Sequence, residues 1–461
     1  MKNFRFIIYI LSALFLSSCG EDRSKEYYAL IEDDTWIEET MQAHYLWYSE
    51  MGTPTKNDFF AEPADFLAKI LFKGNDTEKA DKFSYIEEKT TSTSRSYLQR
   101  SSTYGFDFEL MTDPTGITNH TFARVLFVLP NSPASESGLT RGTWISQIKG
   151  IRLTTDNYGY LMQGNATTFT TQQLIDVDGV LAWDTEKTLN IGASRTVEMN
   201  PFYVDTIYNI EGKKISYLVY NEFSTGPNNT PTDTQYGEQM KQIFAKFKSE
   251  TPDAFILDLR YNPGGYLSCA QELGSLLVPS TALGKTFLTL QYNKITTPQA
   301  DTIKYESNLA PYNMNLSKIY IITSAFTASA SEAIINCLKP YMGDNVITIG
   351  ETTVGKNVAM QPYTEEYLDF ILWPVVAYTL NANNKADYSD GIVPTFAISE
   401  RKYLGTMYPL GNINEYLLKN VISYILTGTM PDYTENSINT QAFKNIKASI
   451  NVKKTAGLRI K

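Results

Sequence analysis

The sequence predicts a multi-domain protein of the α/β class, and three observations support this prediction. The chain has 461 residues, which is too long for one compact core. From about residue 213 onward, short apolar runs typical of buried strands alternate with amphipathic helical segments. Before that point, residues 99–205 contain short β-like runs, and residues 27–73 place apolar side chains at helical spacing.

We divide the chain into five parts at the points where these patterns change. In order they are a signal sequence, a tether with an N-terminal helical domain, a β domain, an α/β core and a C-terminal extension without an assigned role: residues 1–19, 20–98, 99–205, 206–430 and 431–461. The 43% hydrophobic and 20% charged content is ordinary for a globular protein, so the larger parts can bury cores.

The N-terminus has the pattern of a secretory signal. Lys2 and Arg5 precede the apolar run FIIYILSALFL, which is too short to span a bilayer and is followed by Leu-Ser-Ser-Cys19. That ending resembles the lipobox of bacterial lipoproteins, which implies cleavage before Cys19 and lipid on its sulfur. The resemblance implies a lipid anchor in the cell envelope, at an outer membrane and facing the periplasm or the surface. An ordinary cleavage site with an incidental Cys19 is the alternative.

Composition argues against several classes of function. The formal net charge is −10 and no long basic block occurs, so we expect no nucleic-acid partner. Two histidines and the absence of a Cys-x-x-Cys pair make a zinc site improbable, and we predict neither a metal nor a cofactor. Cys269 and Cys337 lie in apolar, helix-like contexts and are expected to be buried free thiols rather than a disulfide.

Residues 130–150, PNSPASESGLTRGTWISQIKG, follow an apolar strand and contain a turn, a short helix and a basic-Gly turn. This pattern resembles the PDZ domain of bacterial processing proteases. The resemblance implies that an extended peptide adds to a sheet edge while backbone N–H groups hold its carboxylate. Tyr104, Gly105 and Phe106, at the start of the first strand, form the candidate carboxylate loop. A PDZ-like module that only packs against its neighbour is the alternative.

A serine nucleophile in this chain would need a base other than histidine, because His44 and His120 both lie outside the α/β core. In AFTASASE a buried strand ends, small residues follow, and a helix begins at Ser331-Glu332. Small side chains let a substrate backbone approach closely, and the helix N-terminus supplies N–H groups for an oxyanion. The spacing Ser329-x-x-Glu332 is also that of an ordinary capping box.

The stretch GETTVGKN differs by one residue from a phosphate-binding loop, since Asn357 replaces the metal-binding hydroxyl. Such a loop continues into a helix, but the residues after Lys356 include Pro362 and have an extended pattern, so nucleotide binding is disfavoured. Lys356 follows Ser329 by one helix and one strand, and strand ends of an α/β sheet meet at one edge. Apolar neighbours suit a dry pocket, where desolvation lowers the pKa of a lysine enough to make it a base.

Four motifs together resemble the C-terminal processing (tail-specific) serine peptidases: DLRYNPGG, TASASE, GETTVGK and DGIVP, in that order. The resemblance implies a crotonase-like β-β-α peptidase core, preceded by the PDZ-like β domain and the N-terminal helical domain. It implies that Ser329 is the nucleophile and Lys356 the general base. Ser331 replaces Ser329 only if the register of the motif is misjudged by two residues.

The family also suggests supporting residues. A polar residue shortly after the lysine orients it; Gln361 is the candidate, but it lies one residue later than in better-known members, and Glu332 is the substitute. Gly264 or Gly265, with the backbone N–H of Ala330, would form the oxyanion hole. The NPGG turn has a second explanation, because a tight strand-to-helix turn itself requires glycine.

We therefore expect a lipid-anchored serine endopeptidase whose PDZ-like domain captures unstructured C-termini of polypeptide substrates. The main alternative is a non-catalytic peptide- or ligand-binding lipoprotein on the same scaffold. A purely structural surface lipoprotein is a third possibility, although it leaves the PDZ-like segment without a purpose.

Overall fold

The computed structural model describes residues 24–89, 102–227, 230–431, 445–449 and 458–460. Helices and strands are mixed along this length and are organised in several sheets, so the predicted multi-domain α/β class is confirmed. Within the described ranges, no helix is both long enough and apolar enough to cross a membrane.

The described part contains seven α-helices and twenty-two strands, numbered along the chain. The helices are α1 (Ser24–His44), α2 (Pro63–Ile70), α3 (Pro133–Glu136), α4 (Gln235–Ser249), α5 (Leu267–Leu277), α6 (Ala330–Met342) and α7 (Tyr416–Thr427). The strands are β1 (Tyr85–Glu88), β2 (Phe106–Thr112), β3 (Thr121–Val128), β4 (Trp144–Ile148), β5 (Ile151–Arg152), β6 (Thr167–Gln172), β7 (Leu174–Val177), β8 (Val180–Trp183), β9 (Lys187–Ile191), β10 (Phe202–Ile210), β11 (Lys213–Tyr220), β12 (Ala254–Asp258), β13 (Thr286–Tyr292), β14 (Ala300–Lys304), β15 (Ile319–Thr323), β16 (Val346–Gly350), β17 (Val358–Met360), β18 (Phe370–Trp373), β19 (Val375–Leu380), β20 (Phe396–Ala397), β21 (Asn445–Ala448) and β22 (Leu458–Arg459).

The core is built on a six-stranded sheet in the order β10-β11-β12-β15-β16-β20, parallel from β11 onward. Alternate residues of its strands face opposite sides. Leu257 and Ile321 pack in the cluster that contains side chains of α4, α5 and α6, whereas Ile256 and Ile322 pack in the cluster that contains α7. Burial of both faces explains why these strands are nearly continuous apolar runs. Their parallel direction brings the ends of β12, β15 and β16 to one edge.

A second core sheet has the order β14-β13-β19-β17-β22. Ile37, Met41 and Phe66, from α1 and α2, pack in one cluster with Val358 and Met360 of β17. Strand β1 pairs antiparallel with β18, so the N-terminal domain contributes a strand as well as helices. The N-terminal domain therefore lies directly against the strand that follows Lys356.

The predicted β domain forms a seven-stranded sheet in the order β21-β2-β3-β4-β6-β9, with β5 paired to β4. Its predicted boundary at residue 205 is wrong, because β10 spans Phe202–Ile210 and pairs with β11 of the core sheet. The C-terminal extension, for which no role is predicted, supplies β21 to this sheet and β22 to the core. Cys269 and Cys337 are free and buried, as predicted.

A buried ion network joins the β domain to the core. Arg260, 1% exposed, contacts the carboxylates of Asp258, Glu400 and Glu415 at 2.6–2.7 Å. Arg141, from the basic-Gly turn of the β domain, contacts Glu400 and Glu415 as well. Burial alone raises the pKa of Glu400, but the two guanidinium groups hold it below its ordinary value. The two parts of the molecule are thus tied together by charges that water does not screen.

Replacing Arg260 by alanine should destabilise the protein strongly, because three buried carboxylates lose their shared counter-charge. We expect a loss of about 3–5 kcal/mol, seen as a lower urea midpoint by tryptophan fluorescence. Arg195→Ala is the matched control: Arg195 pairs with Glu136 at the surface and its loss should cost about 0–1 kcal/mol. Equal midpoints for the two variants would contradict this assignment of the network.

Candidate active site

Three loops meet at the carboxyl edge of the parallel sheet. The loop after β12 carries the glycine pair Gly264-Gly265, the loop after β15 leads to Ser329, and the loop after β16 leads to Lys356. Asn262 joins the first two loops, because its carbonyl oxygen accepts hydrogen bonds from the Ala328 amide and from the Ser331 hydroxyl. The residues predicted as a site from separate motifs are therefore on neighbouring loops.

Ser329 stands immediately before α6 with φ 60° and ψ −110°, a conformation that L-residues rarely adopt. It is 1% exposed, and among the described residues its Oγ has no hydrogen-bond partner. Gly264 explains how the loop fits, since a Cβ at that position would lie 2.8 Å from the Cβ of Ser329. A strained backbone that presents an unpaired hydroxyl is the arrangement expected of a nucleophile rather than of a helix cap.

Ser331, the alternative nucleophile, has a structural contact instead. Its side chain is fully buried, and its Oγ donates to the carbonyl of Asn262 at 3.1 Å. Ser329 and Glu332 do occupy the predicted capping-box positions, and the Glu332 carboxylate accepts from the Ser329 amide, but the Ser329 hydroxyl makes no hydrogen bond with a described residue. The geometry thus favours Ser329 over Ser331.

Lys356 is 5% exposed, and its Nζ lies 4.8 Å from the centre of the Phe83 ring. Burial lowers the pKa of its ammonium group to about 7, while the carboxylates of Asp81 and Glu332 oppose that shift and the charge of Arg459 adds to it. Phe83 and Asp81 belong to the N-terminal domain. The dry pocket that the sequence predicted for this lysine is therefore completed by residues about 270 positions earlier in the chain.

Glu332 holds the serine and lysine loops in register. It is fully buried, and its carboxylate accepts hydrogen bonds from the amides of Ser329 (2.7 Å), Gly355 (2.6 Å) and Lys356 (2.8 Å) and from the Thr353 hydroxyl. Burial raises the pKa of this carboxyl group, and the hydrogen bonds donated to it oppose the rise. Glu332 thus acts on Lys356 through its backbone, and no hydrogen bond of the described residues joins it to the Lys356 ammonium group.

The DGIVP motif supports the same loop from the other side. The Ile392 amide donates to the Thr353 hydroxyl at 2.7 Å. A Cβ on Gly391 would lie 2.1 Å from the carbonyl oxygen of Thr353, and one on Gly355 would lie 2.4 Å from that of Ser389. Both glycines have positive φ angles, so close backbone contact explains why they are glycines.

Gln361 directly follows β17 and is half-buried, and in the described part of the chain its side chain makes no hydrogen bond. The pairing of β17 with β19 does contain a bulge, but its extra residue is Val376 on β19. The bulge therefore does not correct the late position of Gln361. Its role in orienting Lys356 stays a prediction.

The three predicted oxyanion residues differ in the state of their amides. The Gly264 N–H donates to Oδ1 of Asn262 at 2.9 Å, so it is already engaged. Among the described residues, the amides of Gly265 and Ala330 have no hydrogen-bond acceptor. Gly265 and Ala330 are therefore the better pair of donors for a developing oxyanion.

The candidate carboxylate loop of the β domain is occupied by internal hydrogen bonds. The Tyr104 amide donates to the Met162 carbonyl at 3.3 Å, and the Gly105 amide donates to the Thr103 hydroxyl at 3.0 Å. The Tyr104 ring is buried and its hydroxyl donates to the Asn165 carbonyl. Neither amide is available to a bound carboxylate in this conformation, so capture through Tyr104-Gly105-Phe106 would require rearrangement.

Two further expectations concern other parts of the chain. Cys19, the predicted lipidation site, lies outside the described residues. Within the described residues, no cluster of three or more His, Cys, Asp or Glu side chains is arranged to hold a metal ion.

Comparison with known proteins identifies relatives over much of the chain. A model of peptidase family S41 matches residues 214–398, and a model of the peptidase S41 N-terminal domain matches residues 32–85. A Bacteroides fragilis protein assigned to the S41 proteases has a crystal structure that superposes with a TM-score of 0.75 at 33% identity, covering 86% of this chain and 98% of that one.

Two curated relatives are more distant. A carboxyl-terminal-processing protease of Picosynechococcus sp. is 25% identical over 246 residues, which cover 51% of this chain and 50% of that protein. The carboxy-terminal processing protease CtpB of Bacillus subtilis is 25% identical over 199 residues, covering 42% and 36%. The chain thus spans half or less of the length of these two relatives.

Replacing Lys356 by methionine should make the protein more stable at neutral pH. An unfolded lysine keeps its proton up to its ordinary pKa of 10.5, whereas the folded one loses it near 7. Between these values folding must release a proton, which costs up to roughly 4 kcal/mol at pH 7. The gain from Lys356→Met should shrink as the pH rises toward 10, measured as the difference in urea midpoints. A variant that is less stable at pH 7, or a difference that grows with pH, would contradict the lowered pKa.

Proposed function

Because the chain belongs to peptidase family S41, we propose that it is a serine endopeptidase with Ser329 as nucleophile and Lys356 as general base. One observation carries the proposal: the same buried carboxylate, that of Glu332, accepts hydrogen bonds from the backbone amides of both Ser329 and Lys356. These hydrogen bonds hold Ser329, which has a strained backbone and an unpaired hydroxyl, beside the loop of Lys356, a buried lysine with a lowered pKa.

The proposed reaction begins when the neutral Lys356 amine takes the proton of the Ser329 hydroxyl while its oxygen attacks a substrate carbonyl carbon. The tetrahedral intermediate collapses as the lysine ammonium gives that proton to the leaving amine, and an acyl-enzyme remains. A water then attacks the ester, again giving a proton to Lys356, and the second product leaves as the serine regains its hydrogen. With a pKa of about 7, roughly half of the lysine is neutral at pH 7.

Stabilisation of the oxyanion would come from the amides of Ala330 and Gly265. Ala330 is the first residue of α6, so its N–H points out of a helix N-terminus where the dipole favours negative charge. Gly265, with φ 140°, is held by strand-like pairing with Phe223, and a Cβ there would lie 2.2 Å from the Phe223 carbonyl oxygen. Gln361 would support Lys356 only after a side-chain movement.

The described residues contain no hydrogen bond between Ser329 Oγ and Lys356 Nζ. Proton transfer would therefore need a change that brings these two atoms within hydrogen-bond distance. The ammonium group lies over the Phe83 ring, a favourable contact for a cation but not for an amine, so the same ring favours the resting state. Substrate binding would supply the energy for the change.

The substrates we propose are unstructured polypeptides. The β domain, similar in pattern to a PDZ domain, would bind their C-termini along the edge of β2 that β21 covers in this conformation, after β21 has moved away. Lipid on Cys19 would hold the enzyme in the cell envelope, on the periplasmic or surface side of an outer membrane. No metal, nucleotide or nucleic acid enters the proposed reaction.

The test is cleavage of a folded domain that carries a disordered C-terminal tail, followed by electrophoresis and mass spectrometry. Ser329→Ala should lose at least about 1,000-fold in kcat/KM, and Lys356→Ala a similar factor. The wild-type kcat/KM should rise with pH through about 7 and then level, because only the neutral lysine accepts a proton. Lys356→Arg should be inactive throughout, because a guanidinium does not deprotonate in this range.

Two controls separate the possible outcomes. Ser331→Ala should retain the wild-type pH profile, because its hydroxyl binds Asn262 rather than a substrate. The same domain with its disordered tail moved to the N-terminus tests whether a free C-terminus is needed. Cleavage by Ser329→Ala, or a rate independent of pH from 5.5 to 9, would refute the dyad. Tight tail binding without cleavage would favour the non-catalytic binding lipoprotein.

A further inference from the structure

The described end of the chain lies in the candidate active site. Leu458 and Arg459 form β22, which pairs in parallel with Ala359 and Met360 of β17, and the Ile460 amide donates to the Met360 carbonyl at 3.1 Å. Without β22, β17 would be the edge strand of its sheet, since its other neighbour is β19. An edge strand that begins two residues after Lys356 is a natural place for an extended polypeptide to add.

The same segment reaches the loop of the proposed oxyanion hole. The Arg459 amide donates to the carbonyl of Gly265 at 3.1 Å, and Arg459 forms a bridge with Tyr266. The adjacent Gly264 is the residue whose Cα faces Ser329. Leu458 and Arg459 are thus bonded on one side to the strand after the lysine and on the other to the loop beside the serine.

The Arg459 side chain fills a pocket that suits a cation. Its guanidinium carbon lies 5.4 Å from the centre of the Tyr266 ring and 5.2 Å from the centre of the Trp373 ring. The Trp373 indole N–H donates a hydrogen bond to the carboxylate of Glu87 at 2.8 Å. Burial raises the pKa of Glu87, and the nearby charge of Arg459 opposes that rise. The pocket therefore combines two aromatic faces with one acidic group, a combination that favours arginine over an apolar side chain.

The occupant is held incompletely. Arg459 is 2% exposed, yet in the described part of the chain its Nε and Nη2 have no hydrogen-bond acceptor. Buried donors of a charged group that lack acceptors weaken binding considerably. A side-chain hydrogen bond to Tyr266 does hold the guanidinium group, but Nε and Nη2 are left without acceptors among the described residues. This partial satisfaction suits an occupant that can be displaced.

An earlier strand of the C-terminal extension, β21, covers the edge of β2, which a substrate bound to the β domain would also need. Strand β21 pairs antiparallel with β2, and the Ser449 hydroxyl donates to Asp107 at 2.7 Å and accepts from the Phe108 amide at 2.9 Å. A substrate held by its C-terminus on β2 would place an earlier segment at Ser329. In the C-terminal extension the order is reversed: the earlier strand, β21, lies on β2, and the later strand, β22, lies near Ser329. The extension is therefore better arranged to block the cleft than to be cut in it.

We propose that β17, the Gly265 carbonyl and the Tyr266–Trp373 pocket form a subsite for an extended polypeptide with a basic side chain, and that Leu458–Ile460 occupies this subsite until a substrate displaces it. The proposal rests on the proposed function, because the subsite is useful only beside a working nucleophile. Binding and cleavage are therefore measured separately.

The binding experiment uses the full chain carrying Ser329→Ala, so that the probe is not cut. The probe is a fluorescein-labelled peptide KTAGLRIK, the sequence of residues 454–461, followed by fluorescence anisotropy. Adding Leu458→Asp and Arg459→Asp should expel the segment and tighten probe binding by about tenfold or more. A probe with alanine in place of its arginine should bind that variant about tenfold more weakly, as expected for a cation lost from two aromatic faces.

Three further measurements separate an effect on the subsite from an effect on folding or on catalysis. Lys318→Asp reverses a charge at an exposed position outside the cleft and should leave probe binding unchanged. Because Leu458 is buried, the milder variant Arg459→Ala is measured as well and should also bind the probe more tightly than the native chain. With Ser329 intact, both segment variants should cleave a disordered substrate several-fold faster than wild type.

Each outcome decides one proposal. Probe binding that is unaffected by the segment substitutions, or that is equal for the arginine and alanine probes, would overturn the subsite. If no variant cleaves any substrate but the binding results are as expected, the peptidase proposal fails and the subsite stands. If cleavage occurs without probe binding, the peptidase proposal stands and the subsite is wrong.

Discussion

The structure of the site depends on one buried carboxylate. Glu332, in the first turn of α6, receives hydrogen bonds from three backbone amides and one hydroxyl that come from both sides of the cleft. A carboxylate at a helix N-terminus is favoured by the helix dipole, and here it also satisfies amides of a loop from the neighbouring strand. Because a buried acceptor with four donors is costly to disturb, the relative position of the serine and lysine loops is fixed.

The lysine is prepared by a different part of the molecule. The core supplies Lys356 and its apolar flanks, but the N-terminal domain supplies the ring of Phe83 and the charge of Asp81. The DGIVP motif closes the loop through Thr353. The N-terminal domain is therefore part of the candidate site, since removing its wall would admit water and return the pKa of the lysine toward its ordinary value.

The features of the site that depend on short segments of the chain could be predicted from the sequence. The apolar runs with small-residue ends located the strands and loops that carry Ser329 and Lys356, and the extended pattern after Lys356 correctly argued for a strand rather than a helix. What could not be predicted depends on contacts between distant residues. Nothing near Phe83 indicates that it covers a lysine 273 positions later.

Two other differences have the same physical origin. The predicted boundary at residue 205 falls inside β10, because the residue pattern of this strand does not reveal which sheet it joins. Arg459 lies in a polar extension with no motif, and only the open edge of β17 makes it a strand. Gln361, by contrast, is proposed from family spacing alone, and its half-buried side chain makes no hydrogen bond with another described residue that would test the proposal.

The most direct measurement of the central claim is labelling of the nucleophile. The full chain is treated with a fluorophosphonate and analysed by intact mass and peptide mapping across pH. We expect a single adduct on Ser329, formed at a rate that rises with an apparent pKa of about 7 and lost in Lys356→Ala. An adduct on Ser331, or labelling of Ser329 at an equal rate in Lys356→Ala, would contradict it.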